Sequence, residues 1–230
     1  MATNSVACIG QRSACAVRAT RLGPDCSPVT GTGTDFVVTT ALTTFTATPD
    51  VEEGTKFEPK NACGDLLWTA ADQDIVKRWT VEFEFGVFDY ELAEILTDSV
   101  AILGGAASPW VGKTIGIETP GPQTKQGNGV ALEIWAKTAT GQGSCGPVST
   151  TPPFVRHVFP RCLLRLNDRT FENDVATFKF SGTAESNVSW GAGPYGDYPG
   201  ETPLSGDTPY AQYLDTVLPE ASCGYADSAP

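Results

Sequence analysis

Apolar and polar side chains alternate between residues 154 and 185, on both sides of a polar interruption, and this leaves few folds open to the chain. Val155, His157 and Phe159 step along one face with period two. After Pro160 the register resumes with Cys162, Leu164 and Leu166 against Arg161, Leu163 and Arg165. Asn167, Asp168 and Arg169 are turn formers, and Ala176, Phe178 and Phe180 then alternate with Thr177, Lys179 and Ser181. The pattern predicts two antiparallel strands joined at residues 167–169. Such a pair is marginal in water on its own, so the rest of the chain must cover it with more sheet or with helix.

The other segments supply mostly strands. Residues 15–22 alternate Ala16, Arg18 and Thr20 against Val17, Ala19 and Arg21 before stopping at Gly23 and Pro24. Residues 34–48 are rich in threonine, with Phe36, Val38, Leu42 and Phe45 recurring, and read as one strand or a broken one ended by Pro49 and Asp50. A short strand around residues 56–58 precedes a turn at 61–64. Trp79, Val81, Phe83 and Phe85 occupy one face of a strand whose other face is Thr80, Glu82 and Glu84. Gly86 breaks it. Asp89 sits where an N-cap belongs, Glu91 and Glu94 suit the first turns, and Leu92, Ala93, Ile95 and Leu96 form an apolar stripe, predicting a single helix near residues 89–97 that covers the preceding strand. Further strands are expected at 113–118 and at 130–137, the latter with Glu133, Trp135 and Lys137 opposite Val130, Leu132, Ile134 and Ala136. Residues 138–153 read as a long loop. From Asn187 onward the chain is rich in Gly, Pro and Tyr and has little apolar material of its own, so residues 1–186 form the β domain and 187–230 an arm expected to order on a neighbour.

With 230 residues, 24 glycines and 17 prolines, the chain suits one mainly β domain with many turns. Its net charge of −12 disfavours adhesion to nucleic acid, where a phosphate backbone asks for a basic patch. Residues 1–6 are polar and lead into no apolar run of signal or membrane length, which points to synthesis in a cytoplasm. The seven cysteines are odd in number and loosely spaced, with no Cys-x-x-Cys and only His157 as a histidine, so they read as buried thiols and not as a zinc site. A Cys15–Cys26 bridge across a hairpin stays open. Residues 191–196 spell G-x-G-x-x-G, yet Pro194 lies inside, and neither a strong strand nor a helix flanks them. Gly112, Lys113 and Thr114 resemble the end of a phosphate loop, but Ala107 stands where its first glycine belongs. No nucleophile elbow occurs, and a lone mid-strand histidine makes no triad. Glu82 with Glu84, and Asp72 with Asp74, are spaced as neighbours on one polar face, not as an acid and base pair. No catalytic, cofactor or metal residues are expected.

The motif order resembles one family. Residues 159–161 (Phe-Pro-Arg), 168–173 (Asp-Arg-Thr-Phe-Glu-Asn), 176–178, 182–184, and then Asn187, Trp190-Gly191 and Gly193-Pro194 resemble the major tail tube proteins of long-tailed phages that infect actinobacteria. Residues 15–26, the strand at 79–85 with the helix after it, and residues 132–135 are similar too. The resemblance spans roughly residues 15–198. It implies a β-sandwich or barrel-like subunit with one helix, long loops and an extended C-terminal arm, joining its neighbours in rings of about six that stack into a tube. It further implies a structural, non-enzymatic role in the virion tail after assembly in the host cytoplasm, with no cofactor. The implied partners are other copies, a tape measure protein and tail-end proteins; no membrane insertion is implied. Genomic DNA would pass an acidic wall without specific binding. In such a ring Glu82 and Glu84 are candidates for the lumen, and Trp190, Tyr195 and Tyr198 for contacts between subunits. A tail-end adaptor or baseplate-hub ring is the nearest alternative. A carbohydrate-binding β-sandwich stacking sugars on Trp110, Trp135 or Trp190 is another.

Overall fold

The computed structural model describes residues 10–121, 127–139, 154–171, 176–195, 203–222 and 224–226. In chain order its elements are β1 (Gly10–Arg21), β2 (Phe36–Thr39), β3 (Leu42–Glu52), β4 (Lys56–Phe57), β5 (Ala70–Ala71) and β6 (Ile75–Phe85). Then come α1 (Tyr90–Thr97), β7 (Val100–Leu103), β8 (Thr114–Glu118), β9 (Val130–Ala139), β10 (Phe154–Phe171), β11 (Ala176–Glu185) and β12 (Ala211–Asp215). The fold is mainly β with one helix.

The alternating stretch does form the central pair, β10 and β11, but the expected turn at 167–169 is a bulge. Leu166 pairs with Phe180 and Arg169 with Phe178, so β10 gains one residue over its partner and runs on to Phe171. Turn formers and bulge formers share the same backbone freedom, which is why the two look alike in sequence. The connection falls on 172–175, outside the described residues. A second bulge surrounds Pro160, where Phe159 pairs with Leu132 and Cys162 with Val130 of β9. Proline has no N–H for the ladder, and the bulge takes it out of register while returning Cys162 and Leu164 to the face of Phe159.

The main sheet is antiparallel throughout and runs β2-β1-β9-β10-β11-β6-β3, with β12 pairing the first part of β10 on the side away from β9. It curls without closing into a barrel. Its inner face gathers Val17 and Ala19, Leu132 and Ile134, Phe159, Cys162 and Leu164, Phe178 and Phe180, and Val81, Phe83 and Phe85 into one core. The curl brings Phe45 of β3 to 5.7 Å from Phe159, between ring centroids, although two strands, β11 and β6, lie between theirs in the sheet. β3 continues through Pro49 to Glu52, past the expected stop. Among the described residues it pairs only with β6, and a strand edge with no second ladder tolerates a missing N–H.

The helix plugs this core with Leu92, Ala93, Ile95 and Leu96. The Asp89 carboxylate accepts from the amides of Glu91 (2.9 Å) and Leu92 (3.3 Å), the capping geometry anticipated. Asp98 ends the helix in a left-handed conformation. The helix packs against β10, β8, β1 and β2 more than over β6, the strand it was expected to cover.

The outer face of β1, β9 and β10 is buried as well. Trp190 packs there with Leu22, Ala131 and Val158, and Tyr195, Leu204 and Tyr213 close around them. The described residues of the arm thus find their core on the chain's own sheet, where sequence reading sent them to a neighbour. The alternation along β9 hid this, because Glu133 and Trp135 read as a solvent face until residues far along the chain cover them.

Candidate assembly surfaces

Among the described residues no group of three or more His, Cys, Asp or Glu side chains is placed to hold a metal ion. The motifs with a chemical ring to them are local structure. Gly112 (φ 72°) turns the β7–β8 hairpin, and Gly191 (φ 56°) and Gly193 (φ 82°) wrap the loop around Trp190. His157 lies 2.7 Å from the Tyr210 hydroxyl through Nδ1, and burial lowers its pKa. Cys15, Cys26, Cys63 and Cys162 are free thiols, so no Cys15–Cys26 bridge is present; burial pushes the Cys162 thiol far up, into an unreactive range. Among the described residues no helix is long and apolar enough to cross a membrane.

The surfaces are more informative. The β3 and β6 ladder extends to the pair Glu52 and Ile75 and carries a loop, residues 53–74, pinned by the β4–β5 ladder and by Asn61, whose side-chain oxygen accepts from the Cys63 and Asp65 amides. Phe57, Leu66, Leu67 (61 % exposed), Trp68 and Ile75 stand in solvent there. The β7–β8 hairpin presents a second group, Val100, Ile102, Leu103, Trp110 (60 % exposed) and Val111. These large apolar side chains, concentrated on two-stranded projections, stay exposed among the described residues, and such patches mark contact surfaces. Alternation could not reveal them, because the loops have no period. The signal available was the run Leu66-Leu67-Trp68 inside a turn-rich segment.

Glu82 and Glu84 face away from the core, on the outer surface of β6. Register sets Glu84 opposite Lys179 and Thr44, and Glu82 opposite Ser181 and Thr46. With Asn167 these residues line a shallow polar depression of about 320 Å³. Arg165 and Arg161 of β10 lie on the same surface, the latter 3.4 Å from Glu185. The face is therefore charge-balanced, and the acidity of the whole chain is not concentrated on it.

Trp190 is 5 % exposed. The Tyr195 hydroxyl is 2.5 Å from Thr20 Oγ1, and the Arg18 guanidinium lies 3.5 Å above its ring. Their faces are occupied inside the chain. Tyr198 lies outside the described residues. Trp135 is fully buried too, so of the three tryptophans weighed for sugar stacking only Trp110 is presented to solvent.

Beneath the arm is a cluster that sequence reading missed. Register places Arg18 opposite Glu133, and Trp135 opposite Arg156. Arg18 Nε donates to Glu133 Oε2 at 2.7 Å, Arg156 Nη1 to Oε1 at 2.9 Å, and Trp135 Nε1 to Asp215 Oδ2 at 2.8 Å. Arg156 Nε is 3.9 Å from Asp215, and its guanidinium lies 5.1 Å from the Tyr213 ring centroid. These carboxylates are held by cations and a donor, which makes a clasp between β12 and the sheet.

No family model matches the chain, and no curated protein does either. Among solved structures, similar chains occur in the cryo-EM structure of the anti-feeding prophage cap, a tube terminating cap (12 % identity, 73 % of this chain and 83 % of that one, TM-score 0.32). Another occurs in the sheath-tube complex of an extracellular contractile injection system in its extended state (12 % identity, 74 % of this chain and 84 % of that one, TM-score 0.31). Superposition at this level is loose, and the functional reading stands on the chain's own surfaces.

Proposed function

We propose that the chain is a structural, non-catalytic subunit of a phage tail tube, in which copies associate side by side into rings and rings stack through the projecting hairpins. The observation that carries this is the pair of exposed apolar hairpins, around Leu67 and Trp68 and around Trp110 and Val111, on a chain whose interior is otherwise well closed. The motif-level resemblance to major tail tube proteins supplies the geometry: rings of about six, a lumen for DNA, a tape measure protein and tail-end proteins as partners, and a place in the virion. A tail-end ring subunit would use the same surfaces, and copy number in purified virions separates the two.

The direct test is sedimentation velocity and negative-stain microscopy of the purified protein over a wide concentration range, beside the double variant L67D/W68D. Rings or tubes are expected from the parent protein, with assembly lost in the variant while its far-ultraviolet circular dichroism is unchanged. A parent protein that stays monomeric at every concentration and salt condition overturns the reading.

A further inference from the structure

The two ends of the main sheet are treated differently. At the β3 end, residues 42–48 (Leu-Thr-Thr-Phe-Thr-Ala-Thr) contain neither a charge nor a proline, and among the described residues they make no ladder beyond β6. Natural edges are blunted by charges, prolines or covering segments; this one has no charge or proline and no second ladder, although the curl of the sheet brings β3 near β1. At the β2 end the edge is covered by the chain itself. The amide of Phe36 donates to Ala226 O (3.2 Å) and that of Ala226 to Phe36 O (2.8 Å), while the Ser222 amide donates to Val38 O (3.1 Å) and Val38 N to Ser222 Oγ (3.0 Å). Phe36 and Val38 are alternate residues of β2, and these are the backbone groups they turn away from β1. Beyond the edge itself, Tyr225 packs against the core, and two side chains hold the segment. The Tyr225 amide donates to Glu91 Oε2 (2.7 Å), and Arg21 Nη2 donates to the Tyr225 hydroxyl (3.0 Å).

We propose that Ser222, Tyr225 and Ala226 form an intramolecular guard on the β2 edge, and that during assembly they give way to residues 42–48 of a second copy, joining one sheet to the next. A closed ring of identical subunits needs a head-to-tail contact between two different surfaces of the same chain. The guarded edge and the bare edge are two such surfaces, and both need only the backbone hydrogen bonds that strands supply to one another. The guard competes for the same groups on Phe36 and Val38, so it sets a threshold for polymerisation. Its few hydrogen bonds, two polar anchors and one half-buried tyrosine set how low that threshold lies.

This inference rests on the self-assembly reading, and the test separates the two. Assembly onset is followed by light scattering and sedimentation for the parent protein, for a variant lacking residues 222–230, and for E91Q and Y225A, which loosen the guard and leave the sheet whole. The truncated and loosened proteins are expected to assemble at about tenfold lower concentration than the parent, the equivalent of one or two net hydrogen bonds removed from competition. A synthetic peptide of residues 220–230, added under reducing conditions, should restore the parent threshold to the truncated protein, and a scrambled peptide should not. Should the truncation fail to fold, E91Q and Y225A report the same threshold. If the parent assembles while the loosened variants assemble no more readily, the guard is refuted and the assembly reading survives. If the parent and all variants stay monomeric, both fall.

Discussion

Replacing Glu133 by Gln would leave the guanidinium groups of Arg18 and Arg156 facing a neutral amide in a site closed to water, since all three side chains are only 2–3 % exposed. A buried ion pair adds little net stability over a well-packed apolar substitute, but removing one partner is costly. E133Q is expected to lose about 3–5 kcal/mol in denaturant unfolding, against less than about 0.5 kcal/mol for E118Q on an exposed strand end. His157 makes the complementary prediction in pH. Burial lowers its pKa in the folded state below the ordinary 6.5, so the unfolded chain takes up the proton first. Its contribution is complete above pH 6.5 and is lost as pH falls from there through the folded value. H157Q should flatten the stability profile in that window, as read by thermal unfolding between pH 5 and about 8. His157 was legible as a mid-strand histidine on the face of Val155 and Phe159, whereas Glu133 was not. Glu133 read as a solvent residue because the side chains that cover this face, Trp190, Tyr195 and Tyr213, come from far along the chain, and a period-two pattern carries no information about contacts so remote.

At the scale of elements, the legible parts were those decided locally. The strand ending at Phe85, the Asp89 cap and the β10–β11 pair follow from alternation and capping chemistry within a dozen residues. What alternation missed was decided by position in the sheet: Pro49 is tolerated because β3 is an edge, and Asn167 to Arg169 bulge because β11 offers partners further along. The arm shows the same limit. Its composition suggested a free tail, yet deleting residues 187–230 would uncover Trp135, Arg18 and Arg156 and remove the Trp190 packing, alone worth about 3–5 kcal/mol. That truncation is expected to give insoluble or unfolded protein by circular dichroism, whereas removal of residues 222–230 alone should not. Gly182 offers a sharper probe of the central pair. A Cβ there would meet Leu163 O at 1.8 Å, so G182V should abolish folding outright, read as loss of soluble protein.

For the molecule as a whole, a net charge of −12 that is not concentrated on the balanced Glu82 and Glu84 face alters what charge reversal there should do. If Glu82 and Glu84 line a lumen, E82K/E84K adds to Lys179, Arg165 and Arg161 and turns a neutral wall basic. DNA passage through assembled tails should then slow, most at low salt, because each phosphate contact adds a salt-dependent attraction. Unchanged passage through tails of normal shape would place this face on the outside, and failure to form rings would place it at a seam between subunits.

The clasp between β12 and the sheet also has a consequence in time. Ribosomes extend a chain at roughly 5–20 residues per second, so several seconds separate the emergence of Val158 from that of its partner Ala211. Until then the nascent β9 and β10 carry Glu133 and Arg156 without their lid, and the central strand lacks one of its neighbours. A chain cut short by stalled translation before Asp215 therefore never completes its outer layer, and defective copies are left open to proteolysis.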